Sequence, residues 1–237
     1  MLIDACKRAS AKYVTVVMPY YGYARQDRKD RPRVSIASKL VADLVTVAGA
    51  SRVMTMDVHA DQIQGFFNIP LDHLFGSTIF IPYLRSLNLD NLCIAAPDVG
   101  STKRARYYAQ YFNCDMVICD KYRKKHNEVA EMTLIGDVRG KNVILVDDII
   151  DTGNTLCKAA DLLIENGAIS VRAMCTHPVL SGKAYENVEN SSLLELAVSD
   201  TIPLKREHSK IKVITVANLF ASAIESTFQY KSIHSLF

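Results

Sequence analysis

The residues best placed to do chemistry are two acids and a short polar run that follows them. Asp147 and Asp148 come directly after four apolar residues, Val143–Val146, which predict a buried β-strand that stops at the acids. The polar run, 151–155, leads into an apolar-periodic helix over 156–164. The run consists of Asp151, Thr152, Gly153, Asn154 and Thr155. The spacing therefore predicts a strand, an anion-sized loop and a helix start in succession.

A loop of this kind suits a phosphorylated sugar. Backbone N–H groups at a helix start, together with the hydroxyls of Thr152 and Thr155, suit a phosphate dianion. The neighbouring carboxylates would repel a polyphosphate unless they accept hydrogen bonds from sugar hydroxyls or hold a divalent cation. A phosphorylated pentose satisfies both halves of the loop. On these residues alone, an ordinary strand–helix turn with an aspartate near the helix start stays open as the alternative.

Further blocks of the sequence place polar and charged residues in a fixed order. They are MPYYGYARQDRKDRPRVSIASKLVADL at 18–44, RVMTMDVHADQIQGFFNIPLDHL at 52–74, APDVGSTKRAR at 96–106, VILVDDIIDTGNT at 143–155, THPVLSG at 176–182 and SLF at 235–237. In these blocks the chain resembles the ribose-phosphate diphosphokinase (phosphoribosyl diphosphate synthetase) family. The resemblance extends over essentially all 237 residues.

The resemblance implies a reaction and a set of ATP and metal contacts. In the family the diphosphoryl group of MgATP passes to O1 of ribose 5-phosphate, which gives phosphoribosyl diphosphate and AMP for nucleotide biosynthesis. By this likeness Arg25, Gln26 and His59 belong to the ATP site. His59 and Asp98 are implied to hold the Mg²⁺ that bridges the ATP phosphates. Carboxylate and phosphate oxygens and water are the ligands that Mg²⁺ prefers.

The resemblance also implies which residues bind the sugar phosphate and stabilise the reacting groups. Lys121 and Arg123 match a family loop that closes over the reacting phosphates, which implies a catalytic role for both. Such a loop supplies positive charge where negative charge develops. Arg123 is also implied to bind ribose 5-phosphate, and Asp147 is expected to hold the ribose hydroxyls. The remaining expected ligands of ribose 5-phosphate are Asp151, Thr152, Gly153, Asn154 and Thr155.

The chain departs from the family pattern in the segment Asp98-Val99-Gly100-Ser101. This loop is implied to receive the diphosphate, and the family usually has a second glycine where this chain has Ser101. If that position requires a positive φ, the added Cβ is costly. A serine hydroxyl could instead add a phosphate contact. Tyr122 is a second departure, since arginine is common at its position in the family.

The pattern of apolar runs predicts an α/β fold with a mostly parallel sheet and helices on both faces. Polar residues recur just after the predicted strands, at the edge where open parallel sheets bind ligands. The resemblance, rather than composition, implies two phosphoribosyltransferase-like domains. We expect the first at 1–77 with 225–237, incomplete at its front, and the second at 78–224 with the sugar-phosphate loop.

Composition is typical of an ordinary globular protein. Hydrophobic residues make up 49% and charged residues 22% of the chain. It contains no apolar stretch of about 18 residues that could span a membrane. The segment 1–11 predicts an amphipathic helix rather than a signal peptide, and the six cysteines lack metal-ligand spacing. We therefore expect a cytoplasmic protein with reduced thiols and no membrane partner. A net charge of +3 is too small to imply nucleic acid.

The start of the chain leads to further expectations and alternatives. Family members begin with an additional stretch, so we expect either an internal methionine start or a truncated product with little or no synthetase activity. A second hypothesis is a catalytically silent partner that binds ribose phosphate within a larger synthetase assembly. A third is a base-using phosphoribosyltransferase, which shares the 143–155 loop but does not account for the ATP-type loop at Arg25. The family implies a homo-oligomer, a hexamer built from dimers.

Overall fold

The computed structural model describes residues 1–122 and 131–237 of the chain. These residues form two compact units. The first unit comprises Met1–Gly76 together with Phe237, and the second comprises Ser77–Leu236. The placement of 225–237 in the first domain stays a prediction. No helix in the described ranges is long and apolar enough to cross a lipid bilayer.

The first unit is built on a three-stranded parallel sheet. Its elements are α1 (Leu2–Arg8), β1 (Thr15–Met18), α2 (Ala37–Val47), β2 (Arg52–Met56), a 3₁₀ helix (Asp61–Phe66) and β3 (Leu71–Leu74). The strands lie in the order β1-β2-β3 and pair in parallel, so β2 is central. Accordingly β2 is buried from Val53 to Met56, whereas the edge strand β1 alternates between exposed and half-buried residues.

An aromatic anchor holds the start of the long loop between β1 and α2. Tyr21 is 2% exposed, and its ring centroid lies 5.4 Å from that of Phe67. Its hydroxyl donates a hydrogen bond to the main-chain oxygen of Ser38 at 2.6 Å, which ties the loop to the first turn of α2. The predicted ATP ligands Arg25 and Gln26 follow in this loop.

The second unit is a seven-stranded sheet with helices on both faces. Its elements are α3 (Ser77–Ser86), β4 (Leu92–Ala96), α4 (Thr102–Phe112), β5 (Asp115–Tyr122), β6 (Glu131–Ile135), β7 (Asn142–Ile150), α5 (Asn154–Glu165), β8 (Ser170–Pro178), α6 (Ala184–Asn190), β9 (Glu195–Ser199), β10 (Ile211–Ile214), α7 (Ala217–Phe228) and a 3₁₀ helix (His234–Leu236). The strand order is β10-β9-β8-β7-β4-β5-β6. Neighbouring strands are parallel except β5 and β6, which are antiparallel.

The central strand β7 contributes to two separate cores, one on each face of the sheet. Val143 and Leu145 pack in one core with Leu163 of α5, while Ile144 packs in the other with Phe80 of α3. Each of these three β7 side chains is at most 1% exposed. Because successive strand residues point to opposite faces, a strand covered on both sides has a continuous apolar run. The predicted α/β class with helices on both faces is confirmed for this unit.

The prediction that the central strand stops at the two acids is wrong. β7 continues through Asp147 and Asp148 to Ile150. The reason is strand pairing, since β8 runs alongside with Cys175 opposite Asp147 and Pro178 opposite Ile150. Both acids therefore lie within a paired strand, and the neighbouring strand fixes their backbone positions.

Two elements of the first unit, β3 and the 3₁₀ helix, have no counterpart in the sequence prediction. β3 has the sequence Leu71-Asp72-His73-Leu74, in which polar residues interrupt the apolar signal. Asp72 accepts hydrogen bonds from Arg52 of β2 at 3.0 and 2.9 Å. This cross-strand ion pair compensates for the polar character of the strand.

Candidate active site

The loop between β7 and α5 has a shape that depends on Gly153. Gly153 is the N-cap residue of α5 and has a φ of +75°. A Cβ at this position would find room, because the nearest atoms lie 3.7 Å away, but L-residues rarely adopt this backbone conformation. The side chains of Thr152 and Asn154 are exposed at the turn. The loop therefore meets solvent at the positive end of a 12-residue helix.

Two side chains from beyond the loop hold it in place. Asn187 of α6 donates from Nδ2 to the main-chain oxygen of Thr152 at 2.8 Å and to Oδ1 of Asn154 at 2.9 Å. The hydroxyl of Ser181 donates to the carboxylate of Asp151, and the Ser181 N–H donates to the Asp151 main-chain oxygen at 3.0 Å. Sequence reasoning missed both roles. Ser181 lies in the THPVLSG block, whereas a lone asparagine on a helix gives no signal.

A cluster of carboxylates lies where β4 and β7 run side by side. Oδ1 of Asp147 accepts hydrogen bonds from the Asp148 N–H at 2.9 Å and is 2.9 Å from Oγ of Ser101. Oγ of Ser101 is also 3.0 Å from Oδ1 of Asp98. The same Asp98 oxygen accepts the Ser101 N–H at 3.0 Å. Neighbouring parallel strands thus bring Asp98, a predicted metal ligand, close to the predicted sugar ligand Asp147.

Ser101 has an unstrained backbone. It is the N-cap residue of α4, with φ −84° and ψ −1°, which lies in the right-handed helical region. The expected cost of a Cβ at a positive φ therefore does not arise. Its side chain is buried and is directed at two carboxylates.

The electrostatics of this cluster favour the binding of positive charge or hydrogen-bond donors. The pKa of Asp147 is raised to about 8. Burial is the largest cause, and the charge and hydrogen bonding of Asp148 and the charge of Asp98 also contribute. The hydrogen bond from Ser101 acts in the opposite direction and lowers the pKa. Three acids therefore lie close together at the end of β4 and in β7, and a cation or a hydrogen-bond donor bound beside Asp147 would lower its pKa.

The predicted ATP residues of the basic loop lie at the surface of the first unit. The side chains of Arg25 and Gln26 are exposed. The main chain at Gln26 is held on both sides, because its N–H donates to the Tyr23 oxygen at 2.8 Å and its oxygen accepts the Ser38 N–H at 3.2 Å. This pairing anchors the segment that presents Arg25 and Gln26 to solvent.

His59 lies just after β2, in a turn that is held by several hydrogen bonds. Asp57 has a φ of +38°, and its carboxylate accepts the Gly76 N–H at 3.2 Å. The Val58 N–H donates to Nε2 of His73 at 3.1 Å. The His59 side chain itself is exposed. His59 thus belongs to the first unit, whereas its predicted partner in metal binding belongs to the second.

Of the predicted catalytic pair, Lys121 lies near the end of β5. Lys121 is exposed, and its backbone pairs with Met132 of β6. Arg123 lies outside the described residues.

Comparison with known proteins identifies the family. The model for the N-terminal domain of ribose phosphate pyrophosphokinase matches residues 1–49, and that for the phosphoribosyl synthetase-associated domain matches residues 121–237. The chain is 55% identical to a ribose-phosphate pyrophosphokinase of Porphyromonas gingivalis, over 100% of this chain and 76% of the relative. The chain belongs to the ribose-phosphate pyrophosphokinase family.

A second relative and a solved structure agree with this assignment. The ribose-phosphate pyrophosphokinase of Wolinella succinogenes is 56% identical over 100% of this chain and 77% of the relative. A crystal structure of phosphoribosylpyrophosphate synthetase from Mycobacterium smegmatis matches with a TM-score of 0.91 and 37% identity, covering 97% of this chain and 76% of that chain. The resemblance in the sequence is confirmed, and with it the assignment of two phosphoribosyltransferase-like α/β domains.

Members of a pyrophosphokinase family bind polyphosphates. The carboxylate cluster is suited to a divalent cation that lies next to such a substrate. Asp98, Asp147 and Asp148 carry oxygen ligands of the kind that hard cations prefer. Burial is the main cause of the raised pKa of Asp147, and the charges of Asp148 and Asp98 add to it, so a cation bound here would lower that pKa. Across residues 1–122 and 131–237, no group of three or more His, Cys, Asp or Glu side chains is arranged to hold a metal by itself. These residues therefore suit a cation that binds to a few protein ligands and completes its coordination with substrate phosphates.

Proposed function

We propose that the chain transfers the diphosphoryl group of MgATP to O1 of ribose 5-phosphate and releases phosphoribosyl diphosphate and AMP. The observation that carries this proposal is the unit formed by β7, its loop and α5 in a member of this family. There a glycine at positive φ starts a helix just beyond a carboxylate-bearing strand. The helix start suits the 5-phosphate, and carboxylates suit sugar hydroxyls.

The sugar phosphate is assigned to the β7–α5 loop. The carboxylate of Asp147 accepts hydrogen bonds from the ribose hydroxyls. Asp151, which Ser181 holds by two hydrogen bonds, supports the loop from its first residue. The proposed ligands of ribose 5-phosphate are Arg123, Asp147, Asp151, Thr152, Gly153, Asn154 and Thr155.

ATP is assigned to the basic loop and the turn after β2. Arg25 offers a planar donor fork for phosphate oxygens, and Gln26 both donates and accepts hydrogen bonds toward a base or ribose. His59 is proposed to contact ATP and, with Asp98, to hold Mg²⁺. When bound, Mg²⁺ would neutralise the phosphate oxygens and fix their orientation. The support for these roles is the match of the motifs to the family.

The chemistry requires mainly positioning and charge neutralisation. O1 of the sugar attacks the β-phosphorus of ATP, the bond between the α,β-bridging oxygen and that phosphorus breaks, and AMP leaves. A neighbouring carboxylate takes the proton of the O1 hydroxyl. Lys121 and Arg123 are proposed to stabilise the negative charge that develops around the transferred group.

We also propose that the protein works in the cytoplasm as a homo-oligomer. All six cysteines are free, which fits a reducing compartment. The family implies a hexamer built from dimers.

Product analysis tests the proposed reaction. The chain is incubated with ATP, ribose 5-phosphate and Mg²⁺, and the nucleotides are separated by anion-exchange chromatography. The proposed reaction yields AMP and phosphoribosyl diphosphate in equal amounts, and no AMP when ribose 5-phosphate is left out. ADP as the product would mean transfer of one phosphoryl group only. Binding of ribose 5-phosphate without any nucleotide product would instead support a catalytically silent partner.

A further inference from the structure

Ser101 lies between two acids that belong to different strands of the sheet. Its Oγ is 3.0 Å from Oδ1 of Asp98, which follows β4, and 2.9 Å from Oδ1 of Asp147 in β7. Ser101 is 7% exposed. Because Ser101 is buried, little water competes with its hydroxyl for hydrogen bonds to the two carboxylates.

The Ser101 hydroxyl has a single proton for the two carboxylates that it contacts. A serine has one hydroxyl proton, so it donates to one of the two carboxylates at a time. Each acid also accepts a main-chain N–H that does not depend on the serine side chain. Asp98 accepts the Ser101 N–H at 3.0 Å, and Asp147 accepts the Asp148 N–H at 2.9 Å. Removing the hydroxyl therefore leaves both acids anchored while ending the connection that they share.

We propose that Ser101 is a positioning residue for ribose 5-phosphate, which orients the Asp147 carboxylate toward the sugar hydroxyls and links it to the Asp98 loop. The inference rests on the proposed function, in which Asp147 binds the sugar and Asp98 the cation. A cation held by Asp98 would compete with the serine hydroxyl for that carboxylate. The hydroxyl proton would then be left to Asp147, which would strengthen the orientation of the sugar ligand. A glycine at position 101 has no group that could form this link.

A neighbouring hydroxyl in the same loop provides a matched control. Thr102 donates from its hydroxyl to the main-chain oxygen of Val99 at 2.7 Å, which is a bond within the loop. Thr102→Ala therefore removes a hydroxyl from the same segment without removing the Ser101–Asp147 contact. It separates a general loosening of the loop from loss of the specific link.

Calorimetric titration of the full chain with ribose 5-phosphate, with and without Mg²⁺, tests the proposal. We expect Ser101→Ala and Ser101→Gly to weaken the affinity for ribose 5-phosphate about tenfold, the usual scale for a hydrogen bond to a charged group. With a non-hydrolysable ATP analogue present, Mg²⁺ should tighten sugar binding in the unchanged chain and lose that effect in both variants. The ribose 5-phosphate affinity of Thr102→Ala should stay within about twofold. Unchanged sugar binding in Ser101→Ala, or an equal loss in Thr102→Ala, would overturn the proposal.

A double-mutant cycle with Asp147→Ala separates this inference from the proposed function. Once Asp147 is removed, Ser101→Ala should cause no further loss of sugar affinity, because the two side chains act together. Fully additive losses would show that Ser101 acts without Asp147 and would refute the inference. If Asp147→Ala binds ribose 5-phosphate normally, the proposed sugar site and the inference both fail. If Asp147→Ala weakens binding and Ser101→Ala does not, the inference alone fails.

Discussion

Nδ2 of Asn187 lies 2.8 Å from the main-chain oxygen of Thr152, so α6 holds the loop that follows β7. The same nitrogen donates to Oδ1 of Asn154 at 2.9 Å. One side chain therefore binds the loop on both sides of Gly153. The conformation of the proposed phosphate site depends on a helix that contributes none of its predicted ligands.

Asn187→Ala should weaken ribose 5-phosphate binding about threefold to tenfold, because two hydrogen bonds that fix the loop are lost. The affinity for ATP should not change. Asn190→Ala is the matched control, since Asn190 is an exposed residue at the end of the same helix. Fluorescence or calorimetric titration would measure both. Equal effects of the two substitutions would contradict a specific role for Asn187.

Gly153→Ala should destabilise the protein by roughly 1–2 kcal/mol, because alanine is strained at a φ of +75°. Gly140, in the turn before β7, has a φ of +70° with no atom near enough to meet a Cβ. Gly140→Ala should therefore cause a similar loss of stability in urea denaturation. Only Gly153→Ala should also weaken ribose 5-phosphate binding. Loss of sugar binding in both variants would show that general destabilisation is responsible.

Much of the second unit could be predicted from the sequence because its elements have strong local signals. Apolar periodicity predicts a helix over 156–164, and α5 spans Asn154–Glu165. The end of β7 could not be predicted in this way. Its last residues stay in the strand because β8 extends beside them, and such pairing is a tertiary effect. β3 was missed for a related reason, since its polar Asp72 is stabilised by Arg52 from another strand.

The candidate site shows the same division between local and tertiary information. The acids and the Gly153 loop were evident because their types and spacing are local features. The meeting of Asp98 with Asp147 depends on the parallel pairing of β4 with β7, in which Ala95 lies opposite Leu145. The contribution of Asn187 had no local signal, and neither did the double contact of Ser101. Both arise from segments far apart in the chain that pack together.

Lys121→Ala should lower kcat at least about a hundredfold, equivalent to about 2.7 kcal/mol, with little change in the KM values. The reason is that Lys121 is proposed to act mainly on charge that develops in the transition state. Steady-state assays of AMP formation would measure the effect. Lys125→Ala serves as the comparison, because it removes the same charge from the same segment of sequence. Equal losses in the two variants would mean that only general basicity matters.

Thiol labelling should show one cysteine that reacts rapidly, whereas the buried cysteines react slowly. Cys6 is exposed, whereas burial raises the pKa of the Cys93 thiol to about 11 and that of Cys119 to about 12. At about pH 8 these buried groups hold almost no thiolate, and the thiolate is the reactive form. A disulfide reagent should therefore give one fast phase, which Cys6→Ser abolishes. Rapid labelling of Cys93 or Cys119, located by peptide mass spectrometry, would contradict the packing of the second unit.

The central claim is that the loop between β7 and α5 binds ribose 5-phosphate, and calorimetric titration of two variants tests it most directly. Asp147→Ala removes the proposed acceptor of the ribose hydroxyls, and Thr155→Ala removes a proposed ligand of the 5-phosphate. Each should lose about 1.5 to 3 kcal/mol of binding free energy for ribose 5-phosphate, the range for hydrogen bonds to charged groups. Both should bind ATP as the unchanged chain does. A selective loss of ATP affinity, with ribose 5-phosphate binding intact, would contradict the assignment of this loop.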